Sequence, residues 1–240
     1  MPVWSHDGRS IIYRSDADGQ IDLYRRAADG TGTAERLTNT PEAEAVIALL
    51  PDAARLLVRI ASGRGAGAGM LSTVTLGEGT PARPIIPTAG PSQIVGEVSP
   101  EGRWLAYEAR ESGSRAEIYV RPFQNSDAGR WQVSVAGGTR PVWSRTGREL
   151  FYLTERPAAR MMVVSVTAAA PGEPFIFSTP STVFEVSDRM KLGIGRGFDI
   201  APDGTRFLMI RGEAAEGVMQ PSMTIVTRWA DELKAQLRHR

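Results

Sequence analysis

Cysteine is absent from the 240 residues. Disulfides and thiolate metal sites are thereby excluded, while the compartment stays open. Histidine is nearly absent: only His6 and His239 occur, far apart in the chain. Two distant imidazoles make a poor zinc site, because catalytic zinc usually takes three protein ligands. They also leave little for nucleophilic catalysis, and no Gly-x-Ser-x-Gly elbow is present. An excess of one charge is lacking too. The 28 Lys and Arg against 27 Asp and Glu give a net charge of +1, so no global field draws a polyanion. Arginines alternate with acids and form no basic run, which argues against nucleic acid as a partner. No apolar run approaches the ~20 residues of a membrane span, so this chain itself is not expected to insert in a membrane. The start, Met1 to Asp7, has neither the basic nor the apolar region of a signal peptide. Localisation is left unspecified; tethered within a longer protein, the chain would face away from the cytoplasm.

What is abundant is punctuation. With 25 Gly, 16 Pro and 42% hydrophobic residues, the composition suits many short strands around a sizeable core. One phrase recurs five times. Its copies are Val3-Trp4-Ser5-His6-Asp7-Gly8-Arg9, Leu49-Leu50-Pro51-Asp52-Ala53-Ala54-Arg55, Val98-Ser99-Pro100-Glu101-Gly102-Arg103, Val142-Trp143-Ser144-Arg145-Thr146-Gly147-Arg148 and Ile200-Ala201-Pro202-Asp203-Gly204-Thr205-Arg206. The steps between Asp7, Asp52, Glu101, Thr146 and Asp203 are 45, 49, 45 and 57 residues. A period of roughly 40–50 residues is that of a four-stranded propeller blade. The expected architecture is all-β: a propeller of about five four-stranded antiparallel blades, in a ring that need not be complete, with a short C-terminal helix.

The repeats span about 1–43, 44–91, 92–138, 139–192 and 193–228, with the helix over 229–240. In the first, Ser10 to Tyr13 and Ile21 to Arg25 read as strands, the second alternating with period two as a half-buried strand does. In the fourth, Thr182 to Val186 is the expected outer strand. The Ala-, Gly- and Pro-rich stretch from Thr167 to Pro180 before it is expected to be an exposed excursion. The fifth has strands over 197–200, 206–210 and 223–227 and lacks a fourth. Trp229, Leu233 and Leu237 then follow helical spacing. Because Pro2-Val3-Trp4-Ser5 matches Pro141-Val142-Trp143-Ser144, which has a strand before it, the chain is expected to begin inside a repeat, as the C-terminal part of a longer protein or as a ring closed differently from the usual scheme.

The repeated residues are read as structure before chemistry. Asp7, Gly8, Gly102, Gly147, Asp203 and Gly204 supply turns: glycine takes the required backbone angles and aspartate bonds the local backbone. Trp4, Trp104, Trp143 and Tyr107 are expected to pack between blades, where aromatics bury much area. Asp16-Ala17-Asp18-Gly19-Gln20-Ile21-Asp22 resembles a calcium loop superficially. Its glycine stands at position 4 and position 12 is Ala27, so a hairpin turn is favoured. Gly63 to Gly69 lacks the Gly-Lys-Ser/Thr and following helix of a phosphate loop, and reads as a hairpin tip. Carboxylate pairs such as Glu42/Glu44 and Glu108/Glu111 have nothing to place them about a substrate. No catalytic, cofactor or metal residue is assigned.

The phrase Trp-Ser-x-Asp-Gly-Arg-x-Ile-x-Tyr, followed by Ile/Leu-Tyr in the next strand, resembles the TolB-like, WD-like β-propeller repeats. More narrowly, the half from Val98 resembles the C-terminal propeller of certain bacterial serine/threonine protein kinases. Ser99-Pro100-Glu101-Gly102-Arg103-Trp104-Leu105-Ala106-Tyr107-Glu108, Glu117 to Phe123, Gly147 to Tyr152, Pro202 to Met209 and Trp229 to Lys234 carry that likeness. The kinase motifs themselves, a Gly-rich loop with Val-Ala-x-Lys, His-Arg-Asp and Asp-Phe-Gly, are missing. The resemblance therefore implies a non-catalytic scaffold or sensor that binds a protein or peptide, in the C-terminal part of a longer signalling protein. The alternatives are the accessory propeller of a prolyl-oligopeptidase-like hydrolase, or a propeller enzyme such as a glycosidase or lyase. Propellers host all three, so fold alone does not separate them.

Overall fold

The computed structural model describes residues 2–39, 44–61, 69–77, 81–86, 92–111, 115–154, 159–167, 174–186 and 196–210. Within them lie five antiparallel sheets, each built from strands consecutive in sequence. The first holds β1 (Val3–Trp4), β2 (Ser10–Ser15), β3 (Asp22–Ala27) and β4 (Glu35–Arg36). The second holds β5 (Glu44–Leu49), β6 (Arg55–Ala61), β7 (Gly69–Thr75) and β8 (Arg83–Pro84). The third holds β9 (Ser92–Val98), β10 (Trp104–Arg110), β11 (Ala116–Pro122) and β12 (Trp131–Gln132). The fourth starts with β13 (Thr139–Trp143), β14 (Glu149–Leu153) and β15 (Arg160–Thr167). The fifth shows β18 (Phe198–Ile200) paired with β19 (Phe207–Met209). The strand expected over 223–227, the helix over 229–240 and most of the glycine run at 63–69 lie outside the described residues, as does Glu42.

The repeated phrase makes the same turn five times. The residue closing the first strand of each sheet accepts a hydrogen bond three residues on: Gly8 N–H to Ser5 O at 2.9 Å, Ala53 to Leu50 at 2.9 Å, Gly102 to Ser99 at 2.8 Å, Gly147 to Ser144 at 3.0 Å and Gly204 to Ala201 at 2.8 Å. The donor always has positive φ, from 56° at Ala53 to 75° at Gly102. Ser5, Ser99 and Ser144 add their hydroxyls, which accept the amides of Ser10, Trp104 and Glu149 at 2.9, 3.0 and 3.1 Å. Asp7 and Asp203 accept the amides of Arg9 and Thr205, both at 3.0 Å. The Ser5 hydroxyl holds the Asp7 carboxyl below its usual range, and the Thr205 amide does the same for Asp203. The second repeat departs from the others by placing a β-carbon in the left-handed region. Ala53→Gly is therefore expected to raise stability, by up to about 1 kcal/mol after glycine's added unfolded-state freedom is subtracted. Urea unfolding of the two proteins checks this.

The sheets stack face to face, so middle strands such as β10 and β14 are buried on both faces. On β10, Trp104 and Ala106 point to the fourth sheet, against Trp143, Leu150, Tyr152 and Val164. Leu105, Tyr107 and Ala109 point the other way, against Leu50, Leu57 and Leu71 of the second sheet. Ile12, Leu23 and Leu37 meet Val46, Leu56 and Val58 between the first two sheets. Val142, Phe151 and Met161 meet Phe198 between the last two, with Phe207 packed alongside. The core is thus a series of slabs between neighbouring sheets.

Three sequence expectations need correction. Trp4 is 60% exposed, whereas Trp104 and Trp143 are buried. The tryptophans are not all equivalent either: Trp4 and Trp143 precede the turn, and Trp104 follows it. The alternation over Ile21 to Arg25 implied an outward Asp22, yet Asp22, Leu23 and Tyr24 are all buried because sheet and loop cover both sides. The stretch between Thr167 and Pro180 is not all an exposed excursion. Within it, β16 (Ile176–Phe177) pairs with the end of β15; after it, β17 (Ser181–Glu185) pairs with the start of β15. Phe175 is 4% exposed, with its ring 5.1 Å from Trp104, 5.9 Å from Trp131 and 6.2 Å from Trp143.

Candidate functional site

The first strands of neighbouring sheets lie side by side, β1 against β5, β5 against β9 and β9 against β13, and Arg196, just before β18, reaches Glu97 of β9. The register of β5, β9 and β13 against their partners shifts in each case. Such bulges bend a strand and re-aim its side chains. At the bulge in β13, Arg140 has φ 54° and its amide donates to the buried Glu108 carboxylate at 3.1 Å. Glu108 thus serves the backbone, while Glu111 pairs with Arg130 at 3.0 Å.

Where these strands run into the repeated turns, a cleft of about 290 Å³ opens. It is lined by His6 from the first sheet, by Glu97, Val98 and Pro100 from the third, by Trp143, Ser144 and Arg145 from the fourth, and by Arg196, Asp199 and Ile200 at the fifth. The lining follows the repeat. His6, Pro100 and Arg145 each stand one residue after the turn's first position, where Pro51 and Pro202 stand in the other copies. Glu97 and Asp199 each stand two residues before it, where the other copies have Val3, Ala48 and Val142. Carboxylates thus replace apolar residues at two inner-strand positions, and basic side chains replace proline at two turns.

Glu97 ties the third sheet to the fourth and fifth. Its Oε2 accepts the Trp143 amide at 2.7 Å, and its backbone oxygen accepts the Trp143 indole N–H at 3.2 Å. Its Oε1 lies 3.0 Å from Arg196 Nη2, which also approaches Asp199 Oδ1 at 3.5 Å. Among the described residues, the buried Arg196 Nε has no hydrogen-bond partner. Burial pushes the Glu97 carboxyl above its ordinary range, against the pull of Arg196 and of the Trp143 amide. A glutamate that holds its proton more tightly when folded makes stability fall as pH rises from about 4.5 through the raised value. In urea titrations between pH 4 and 7, Glu97→Gln is expected to lose that decline relative to the unsubstituted protein. Parallel pH profiles for the two would refute it.

Among the described residues, no group of three or more His, Cys, Asp or Glu is placed to hold a metal ion. Also among the described residues, neither His6 nor Arg145 makes a hydrogen bond or ion pair. Of the residues singled out from sequence, His6 and Trp143 line the cleft; Asp7, Gly8, Gly102, Gly147, Asp203 and Gly204 form the turns, and Trp104 lies in the core. Glu97, Arg145, Arg196 and Asp199 were not singled out. The signal of Glu97, Arg145 and Asp199 was a departure from the repeat at aligned positions.

No protein-family model matches the chain, and no curated protein matches it. Solved structures do. TolB from Acinetobacter baumannii aligns over 68% of this chain and 40% of its own length, with a TM-score of 0.52 and 20% identity. A gluconolactonase from Xanthomonas campestris aligns over 85% and 66%, with a TM-score of 0.56 and 15% identity. A chain of a nidogen/laminin complex aligns over 84% and 69%, with a TM-score of 0.56 and 12% identity. The chain has a β-propeller fold. Its sheets are blades, and the cleft lies at one end of the propeller's inner strands. At these identities the likeness extends to the fold alone, and the chain spans less than half the length of the TolB structure.

Proposed function

We propose that this propeller is a non-catalytic binding module that seats a segment of a protein or peptide in the cleft at the end of its inner strands. The observation that carries the reading is the convergence there of side chains from four blades. A site assembled this way is held in place by packed sheets, while its turn residues are free to vary. Glu97 is engaged by the Trp143 amide and by Arg196, a positioning role between blades. The motif likeness in the half from Val98 supports placing the propeller in the C-terminal part of a longer, kinase-type signalling protein.

A photo-crosslinking amino acid at Pro100, on the cleft rim, tests the binding role in the source cells. The expected result is one recurrent partner captured from position 100 and not from Val183, an exposed position on β17. Equal background from both positions would sink the proposal. Peptide mapping of the native protein tests the second part: peptides continuing upstream into kinase sequence are expected, and a native chain starting at Met1 would refute it.

A further inference from the structure

We infer that the cleft recognises an acidic segment, engaging a carboxylate through Arg145 and His6. This rests on the binding-module reading above and specifies its ligand. Among the described residues, the carboxylates of the cleft are paired, whereas the Arg145 and His6 side chains are not. Glu97 has both carboxylate oxygens engaged, by the Trp143 amide at 2.7 Å and Arg196 at 3.0 Å. Asp199 faces the same guanidinium at 3.5 Å and accepts the Ile200 amide at 2.9 Å. The Ser144 hydroxyl is committed to Thr146 and the Glu149 amide. What the cleft leaves open is donors. Arg145 and His6 have no partner among the described residues, and both are exposed on turns beside the cleft.

The repeat gives these two residues a second, independent meaning. The turn does not require them, because the same position is proline in three of the five copies and the turn's hydrogen bonds are the same. A planar guanidinium offers paired donors that match a carboxylate, and hydrogen bonds to charged partners are stronger than neutral ones. Glu97 and Asp199, already held by Arg196, line the same cleft. They disfavour a second anion deeper in, which restricts the carboxylate to the rim formed by Arg145 and His6.

Panning a random dodecapeptide phage library against the full chain, and against Arg145→Gln, tests the inference. Arg145 is exposed on a turn, so the variant is expected to fold, and its unfolding curve verifies that. Support is an acidic consensus whose synthetic peptide binds Arg145→Gln about tenfold more weakly. That peptide is also expected to weaken as salt rises, and to lose affinity when its acids are made amides. An enriched consensus without acidic residues, or one indifferent to Arg145→Gln, overturns the inference and leaves the binding-module reading standing. No enrichment on the full chain overturns both.

Discussion

Phe175→Ala is expected to cost about 3–5 kcal/mol of stability, the range for removing a large buried aromatic. Phe175 is 4% exposed and sits where the third and fourth blades meet. Its ring approaches Trp104, Trp131, Trp143 and Phe177, the last at 5.3 Å. Removing it strips partners from all four rings and leaves a cavity that rigid sheets cannot close. Ile176→Ala is the matched control. Ile176 is 50% exposed, and its truncation is expected to change stability by less than about 0.5 kcal/mol. Guanidinium unfolding of both variants decides the matter. Equal, small effects would mean that the segment before β17 contributes nothing to the core.

Asp22→Ala is expected to cost about 2–4 kcal/mol. The Asp22 side chain is fully buried at the start of β3 and ion-paired with Arg36 through Oδ2. Arg36 Nε donates to the same oxygen at 3.0 Å. Thr38 Oγ1 accepts the Leu23 amide at 2.9 Å and lies 3.4 Å from Asp22 Oδ1, so the carboxylate helps anchor the outer strand. Breaking a fully buried pair costs roughly 3–5 kcal/mol; here a third of Arg36 remains in water and softens the loss. The third blade repeats the device, with the Ser134 hydroxyl donating to Glu117 and accepting the Ile118 amide at 2.8 Å. Asp22→Asn keeps the shape and an acceptor, and is expected to lose less than the alanine variant. An Asp22→Ala protein as stable as the parent would show that the buried carboxylate is dispensable.

The turns were the most legible part of the chain. Asp-Gly and Ser-Pro strings specify local backbone angles through interactions within a few residues, so their chemistry needs no tertiary partner. The burial of Asp22 was not legible. Period-two alternation distinguishes the two faces of a strand, and it signals exposure only when one face meets water. In a stack of sheets both faces are covered, so the polar position of an alternating strand can be the most buried. Phe175 was hidden for a related reason. Its Ala-, Gly- and Pro-rich surroundings read as loop, and two of the three tryptophans that cover it come from the neighbouring blade. The cleft was hidden by the method of reading repeats for what they share. His6, Arg145, Glu97 and Asp199 matter because they depart from the repeat, and nothing short of the fold shows that their positions face one space.

The sequence alone determined that this is an all-β chain of repeated blades, because the repeat period, the turn residues and strand propensity act over short distances. The tertiary structure decided which residues gather at the cleft and which polar groups are buried. Those depend on blades distant in sequence being stacked about a common centre, and stacking is driven by apolar area that local sequence does not assign to one partner over another.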